Sequence, residues 1–517
     1  MSTQQGSYNT YIGARYVPIF EEQWDNSKTY EPLVIVEYQG NSYTSKTYVP
    51  IGADINNTDY WALTGNYNAQ VEAYRKEVLA LRNQVNTFQT GFDTLNKEAP
   101  NYAWVNVLHI PFEGLESLKG DGVTDDAPAL NALIAYLKSN NIYARIYFPR
   151  SVYLLNSPIT IDTNHLYFEG EEKGGTEFKC NVTNVTMFTI SNARFIKFEN
   201  IAFWMRDIDD TFVNTFVSIQ TTNQVEFSYC MMYDAKFPLI INNGAGTHLF
   251  ELVISTNNAS YADAIGIQMT GLNNSTRFTN VIINQRGNTG NTRCLYIREK
   301  IQDLFINHLE TAGGAIAVEI TSDTSKPYVN IRLVNCIFDE PTQRGLYIHD
   351  ISNTLSSIVI QNAIIGMMNN GGINVRLENC NNILLDNINM YNTHSLTTLT
   401  GLSANVNNNC RLRGGVITDC SAPVNIFGAS VGMVIEGVQI RNINVACNPG
   451  ISLQQCYNGS ILNNTIIGKI TTPFNIAATS HYSVFSGNNV NADANTSNII
   501  KDTTVQQGAN NLYYQGM

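Results

Sequence analysis

Two hydrophobic periods divide the chain. From Tyr67 the apolar residues run Tyr67, Val71, Tyr74, Val78, Leu81, Val85, Phe88, Phe92 and Leu95, in alternating steps of four and three. That spacing keeps one helical seam turned toward a partner, with Glu72, Arg75, Lys76, Glu77 and Arg82 on the other faces. It predicts a self-associating coiled-coil helix over 66–98; the competing expectation is that the stripe packs along its own chain. From Phe188 onward the unit is different: an apolar strand, a turn, then alternating apolar residues ending near an Asn, as in FTISNARFIKFENIAF, CLYIREKIQDLFINHL, GLYIHDISNTLSSIVIQNAII and GINVRLENCNNILLDNINM. Starts recur every ~20 to 30 residues, the period of a solenoid coil. About a dozen such coils fit. Stacked, they bury inward Ile, Val, Leu and Phe while Asn supplies the corners; a β-sandwich is the alternative.

Two further segments frame this pattern. Over residues 1–65 short aromatic strands flank the turn QGNSY, with Trp24, Tyr30, Tyr43 and Trp61, and predict a small all-β module. Between helix and coils, 99–187 holds KGDGVTDDAPALNALIAYLKSNN, where Asp125 or Asp126 caps a helix with Pro128 in its first turn and Leu130, Leu133, Ile134 and Leu137 on one face. Short strands follow, and 188–517 is left to the coils and the C-terminal end.

Composition narrows the partners. Only 14% of the residues are charged, against about 25% in ordinary soluble proteins, as expected where strands stack closely. About one residue in eight is Asn, which tolerates left-handed turns. The net charge of -12 argues against nucleic acid and anionic lipid. No apolar run reaches membrane-span length and the start MSTQQGSYNT is not a signal peptide, so synthesis in a bacterial cytoplasm is expected. Nine Cys without a CxxC pair read as buried small hydrophobes. Seven scattered His lack a zinc pattern, and Asp207, Asp209 and Asp210 make a weak calcium motif, so no metal and no cofactor is expected.

Aligning the coils on their last strand gathers chemistry at one corner: WMRDIDD from Trp204, YDAK from Tyr233, NQRGNTGNTR from Asn284, ETAGG from Glu310, DEPTQR from Asp339 and MMNNGG from Met367. Glycoside cleavage needs two carboxylates about 5 to 10 Å apart, one protonated and one ionised, and one or two coil steps give that separation. Glu310 with Asp339 or Glu340 is the first candidate catalytic pair, and Asp207 with Asp234 the second. Arg206, Arg286, Arg293 and Arg344 suit an anionic substrate such as a polyol phosphate, and Trp204, Tyr233 and Tyr391 suit sugar faces.

Several of these segments resemble known families. KGDGVTDDAPALNALIAYLKSNN followed by ARIYFPRSVYLLNSPITID resembles the opening of the pectate-lyase-like superfamily, with a GDGxxDD turn, a plugging helix and a right-handed β-helix. Arg150, Ser151, Val152 and Tyr153 stand where that superfamily has small residues. The resemblance implies that Asp121, Asp125 and Asp126 are structural. The order Trp, Tyr, VEYQGNSY, Pro50, Trp61 resembles small chitin-binding modules. The longer text YIGARYVPIFEEQWDNSKTYEPLVIVEYQGNSYTSKTYVPIGADI is similar to N-terminal segments of tail and appendage proteins of phages of Gram-positive bacteria. Docking to other tail or neck proteins is therefore set above glycan binding for this module.

The fold class expected is all-β: a right-handed, pectate-lyase-like parallel β-helix with a small N-terminal β module and a coiled-coil helix. The plan resembles the tailspikes and receptor-binding appendages of short-tailed phages. That resemblance implies a virion protein, a homotrimer among homo-oligomers, that adsorbs to a host cell-wall polysaccharide or teichoic acid, with depolymerisation as an added activity. The alternatives are a stand-alone polysaccharide lyase or hydrolase, and a purely structural virion fibre.

Overall fold

The computed structural model describes residues 17–515 except 99–101, 206–214, 257–261, 286–289, 323–328, 352–355, 368, 393, 395, 482–483, 493–498, 501–505 and 508–511. The chain forms two compact units, 1–100 and 101–517.

In the first unit, β1 (Ile19–Gln23) lies parallel to β2 (Val34–Tyr38), which pairs antiparallel with β3 (Asn41–Ser45), and β3 with β4 (Trp61–Gly65). Tyr38 faces Asn41 across a two-residue turn in which Gln39 and Gly40 both have positive φ, 50° and 75°, the backbone that a tight hairpin requires. The aromatics here are core: Tyr30 and Trp61 are buried with ring centroids 5.2 Å apart, and Trp24 packs edge-on against Tyr38. Helix α1 (Tyr67–Glu98) follows. Its seam is uncovered in the single chain, with Val71, Tyr74, Val78, Leu81, Val85 and Phe88 all exposed.

The second unit is a parallel β-solenoid. Among the described residues, 44 strands join one hydrogen-bonded system in which each strand pairs with its counterpart one coil on. Each coil crosses three sheets. The first passes through Tyr102–Asn106, Tyr143–Phe148, Leu166–Gly170 and Arg194–Glu199; the second through Ala202–Trp204, Met231–Tyr233 and Ile337–Asp339; the third through Arg293–Ile297, Ile316–Thr321, Arg344–His349 and Gly372–Glu378. Helix α2 (Ala127–Ser139) covers the open end, burying Leu130, Leu133, Ile134 and Leu137.

Asp126 does not cap α2 with its side chain; its carboxylate accepts from the backbone N–H of Lys119 and Gly120. Asp125 does the capping, accepting from Ala127 N at 3.1 Å and from Asn156 N at 3.0 Å. Asp121 closes the turn before them, onto Val123 and Thr124.

Inside, like sits on like. Phe168, Phe198 and Phe227 share one register position and stack face to face, 4.7 and 5.1 Å apart, a geometry that adds attraction beyond burial alone. All nine cysteines are buried and free. The corner between first and second sheets carries an Asn ladder: Asn335, Asn362 and Asn387 have φ near 55° to 58°, and the side-chain amides of Asn362 and Asn387 each donate to the side-chain carbonyl one coil earlier, at 3.2 and 2.9 Å. Asn is used there because its amide both tolerates the left-handed backbone and satisfies its neighbour.

Candidate functional site

The second-sheet column falls largely where coil alignment puts it. Trp204 pairs with Tyr233, their rings 4.8 Å apart, then Tyr233 with Ser255, Ser255 with Asn284, Asn284 with Ala312, and Ala312 with Asp339. Glu310 is displaced from it: it lies in register with Ile337, two positions before the Ala312–Asp339 rung, so it and Asp339 are diagonal neighbours on one outward face. Tyr391 continues the column after Gly366. Asp234 turns the corner with a φ of 66°. Arg206, Asp207 and Arg286, with Asp209 and Asp210, lie outside the described residues.

At that corner Glu340 meets His394 across two coils, Oε1 to Nε2 3.2 Å. Burial, reinforced by the charge of Glu340, raises the Asp339 carboxyl above its ordinary value.

The outer face of the third sheet holds a denser constellation. Tyr296, Glu319, Tyr347 and Arg376 stand in register on four successive strands. One rung along, Thr321, His349 and Glu378 do the same. Glu319 is only 4% exposed although it points away from the core. It is ion-paired with Arg293, and its Oε1 lies 3.0 Å from His349 Nε2. The other His349 nitrogen, Nδ1, is 2.8 Å from Asp350 Oδ2. Tyr347 stacks on His349 at 4.2 Å and donates to Glu378 Oε2 at 2.5 Å, while Arg376 pairs with Glu378 and donates to Ser403. Arg344 lies over the Tyr347 ring at 4.2 Å and has no carboxylate partner among the described residues.

The charges are mutually stabilised. Burial alone would raise Glu319 and Glu378, but hydrogen bonds from His349 and Arg293, and from Arg376 and Tyr347, hold both carboxylates below their ordinary values. Burial opposes the charge of His349, yet its two carboxylate partners raise it on balance. Tyr347 is pushed well up by burial and by Glu378, so it remains a donor. With His349 protonated, Arg293, Arg344, Arg376 and His349 face Glu319, Asp350 and Glu378, leaving one positive charge in excess on a chain of net charge -12. Such a strip suits an anionic or hydroxyl-rich ligand; its carboxylates are ionised acceptors and supply no acid.

Of these residues only Arg293 and Arg344 were legible as candidates. The signal for the others was the single polar residue flanked by apolar ones inside each third-sheet strand, CLYI, AVEI, GLYI and NVRL. Aligning coils on that strand brings Tyr296, Glu319, Tyr347 and Arg376 into one column. Among the described residues, no group of three His, Cys, Asp or Glu is placed to hold a metal ion, and no helix is long and apolar enough to cross a membrane.

Residues 115–368 match the family described as rhamnogalacturonase A/epimerase, pectate lyase-like. The matched residues make up just under half of the chain and lie within the parallel β-solenoid of the second unit. This β-helix is similar to a mutant tailspike protein of E. coli bacteriophage HK620, at 12% identity and a TM-score of 0.53, covering 78% of this chain and 80% of that one. It is similar also to the tailspike of the same phage in complex with a pentasaccharide, at 11% identity and a TM-score of 0.51, covering 78% and 77%. At these identities the likeness is one of fold. No curated protein is similar to the chain in sequence.

Proposed function

We propose that the protein is a phage virion appendage, a tailspike or tail fibre, that adsorbs to a host cell-wall polysaccharide or teichoic acid. One observation carries this reading. Tyr296, Glu319, Tyr347, Arg376, Ser403 and Asn425 form an outward strip with one polar or aromatic group per strand. At about 4.8 Å per strand, a linear polymer lying along the β-helix axis meets a new hydrogen-bonding or stacking group at every coil. The solved tailspike of similar fold in complex with a pentasaccharide supports the same use of the scaffold. In this reading the first unit docks to other tail or neck proteins, and α1 joins the subunits, as a trimer, along its exposed seam.

The test is to incubate the purified protein with host cell walls and measure retention together with release of soluble sugar or glycerol phosphate. Retention supports adsorption; failure on the walls of every susceptible host overturns it and favours the structural fibre.

A depolymerase reading is favoured by one feature, the raised Asp339 carboxyl beside Glu340. Asp339 would be the acid and Glu310 or Glu340 the base, with Trp204, Tyr233, Asp234 and Tyr391 along the same column; the sequence candidates Asp207, Arg206 and Arg286 are proposed for the same role. Release that disappears in Asp339→Asn or Glu310→Gln while retention survives would support cleavage.

A further inference from the structure

The third-sheet strip continues beyond its charged portion into a cleft of different chemistry. After Arg376 the column runs through Ser403, Asn425, Ser452 and Asn475, none of them charged. Beside it opens a cavity of 540 Å³ lined by Phe427, Gly428, Gln454, Gln455, Asn475, Ala477 and Thr479. That volume is within the range of small-molecule sites, and the lining contains no ionisable side chain. Phe427 marks the boundary, with the Arg376 guanidinium over its ring at 5.1 Å. Gln455 holds a φ of 57° at a corner where the preceding coil has Gly428, so a side chain with no conformational advantage occupies a strained position.

We propose that this cleft is a subsite for an uncharged sugar residue, continuous with the charged strip, so that one polymer places its anionic groups near Arg344 and neutral sugars at Phe427, Gln454 and Asn475. The inference rests on the adsorption reading above and adds the ligand class. Primary amides each offer donors and an acceptor at fixed angles, matching hydroxyl and acetamido groups that both give and take hydrogen bonds. An aromatic ring beside them supplies an apolar surface for C–H faces. Among the described residues, the cation over the lining is Arg376 at the Phe427 boundary, itself paired with Glu378, so the amide lining favours a neutral group over a phosphate or carboxylate.

The experiment compares two probes on the full-length protein: native host cell walls, and the neutral polysaccharide left after hydrofluoric acid has cleaved their phosphodiesters. The variants are Gln454→Ala with Asn475→Ala, which removes two amides; Ala477→Phe, which fills the cleft without removing a polar group; and Arg344→Gln in the charged strip. The two cleft variants are expected to lose at least about tenfold in affinity for the neutral polysaccharide, the equivalent of about two hydrogen bonds, and Arg344→Gln to weaken retention on native walls more than it weakens binding of the neutral polysaccharide. Circular dichroism and melting temperature report whether each variant folds, and the cleft-filling variant provides the test if the double alanine variant does not. If wild type binds native walls and both cleft variants match it on the neutral polysaccharide, or wild type ignores that probe, the subsite is overturned and adsorption stands. If wild type binds neither probe, the adsorption reading falls and the subsite with it.

Discussion

His349 Nε2 lies 3.0 Å from Glu319 Oε1, one coil apart, on the outer face of the third sheet. The pair ties the folding of two coils to pH. His349 is raised in the folded state by Glu319 and Asp350, so its contribution is fully present below the ordinary His value of about 6.5 and is lost as pH rises through the raised folded value. Glu319 is depressed; its contribution is present above the ordinary Glu value of about 4.3 and is lost as pH falls through the depressed one. The stability gap between wild type and His349→Gln, followed by thermal melting, should be widest between those limits and close toward alkaline pH. A gap that stays constant from pH 5 to 9 would show that the imidazole contributes only by packing.

Arg293 and Glu319 predict a non-additive pair. Breaking a buried ion pair from one side leaves a desolvated charge, at about 3 to 5 kcal/mol, and the Glu319 side chain is 6% exposed. Arg293→Met should fall at the lower end of that range, because His349 still faces the carboxylate. Combining it with Glu319→Gln should cost less than the sum of the single changes. A double-mutant cycle by chemical denaturation reads the coupling, and additivity within about 0.5 kcal/mol would mean the pair does not hold the strip together.

Much of the fold was legible in the sequence because it is periodic. The heptad spacing of Val71, Tyr74, Val78 and Leu81 marks α1, KGDGVTDD marks the turn before α2, and recurring Asn marks the corners. The site was legible only in part, because a column on a solenoid depends on register, and register is fixed by inter-strand pairing that a single chain does not spell out. Aligning ETAGG with DEPTQR set Glu310 against Asp339, whereas the strands pair Glu310 with Ile337. Glu319 was invisible for another reason: within AIAVEIT its neighbours are apolar, and only the stacked coils bring Arg293 and His349 to it.

The seam of α1 predicts the assembly state. Val78 and Val85 are 62% and 64% exposed in the single chain, an uncovered stripe that self-association would bury. Val78→Asp with Val85→Asp should reduce the oligomer to monomers in light scattering while the β-sheet circular dichroism of the second unit persists. An unchanged mass would place the subunit contacts elsewhere.

The Asn ladder predicts a local cost. Asn362 has a φ of 55°, donates to Asn335 and accepts from Asn387. Asn362→Ala removes both hydrogen bonds and puts an unassisted Cβ in the left-handed region, at about 1 to 2 kcal/mol for the backbone alone. Asn362→Gly relieves that backbone term and keeps the loss of hydrogen bonds, so the order of stability should be wild type, Gly, Ala. If Ala melts no lower than Gly, the ladder does not act through backbone conformation.

Arg344 makes the sharpest functional prediction, because its neighbours are already engaged. Arg293 and Arg376 are paired with Glu319 and Glu378, whereas Arg344 overlies Tyr347 and, among the described residues, makes no ion pair within bonding distance, so it can meet an anionic group without breaking one. A half-buried surface cation acting on a charged polymer is screened within about 8 to 10 Å at physiological salt. Wild-type retention on phosphate-bearing walls should therefore fall as salt is raised. Arg344→Gln should lower retention at low salt and flatten the salt dependence, with little effect on melting temperature. Arg376→Gln should behave differently, lowering the melting temperature as well, because among the described residues it leaves Glu378 with Tyr347 as its remaining donor. Equal salt dependence in wild type and Arg344→Gln would remove this arginine from the adsorption surface.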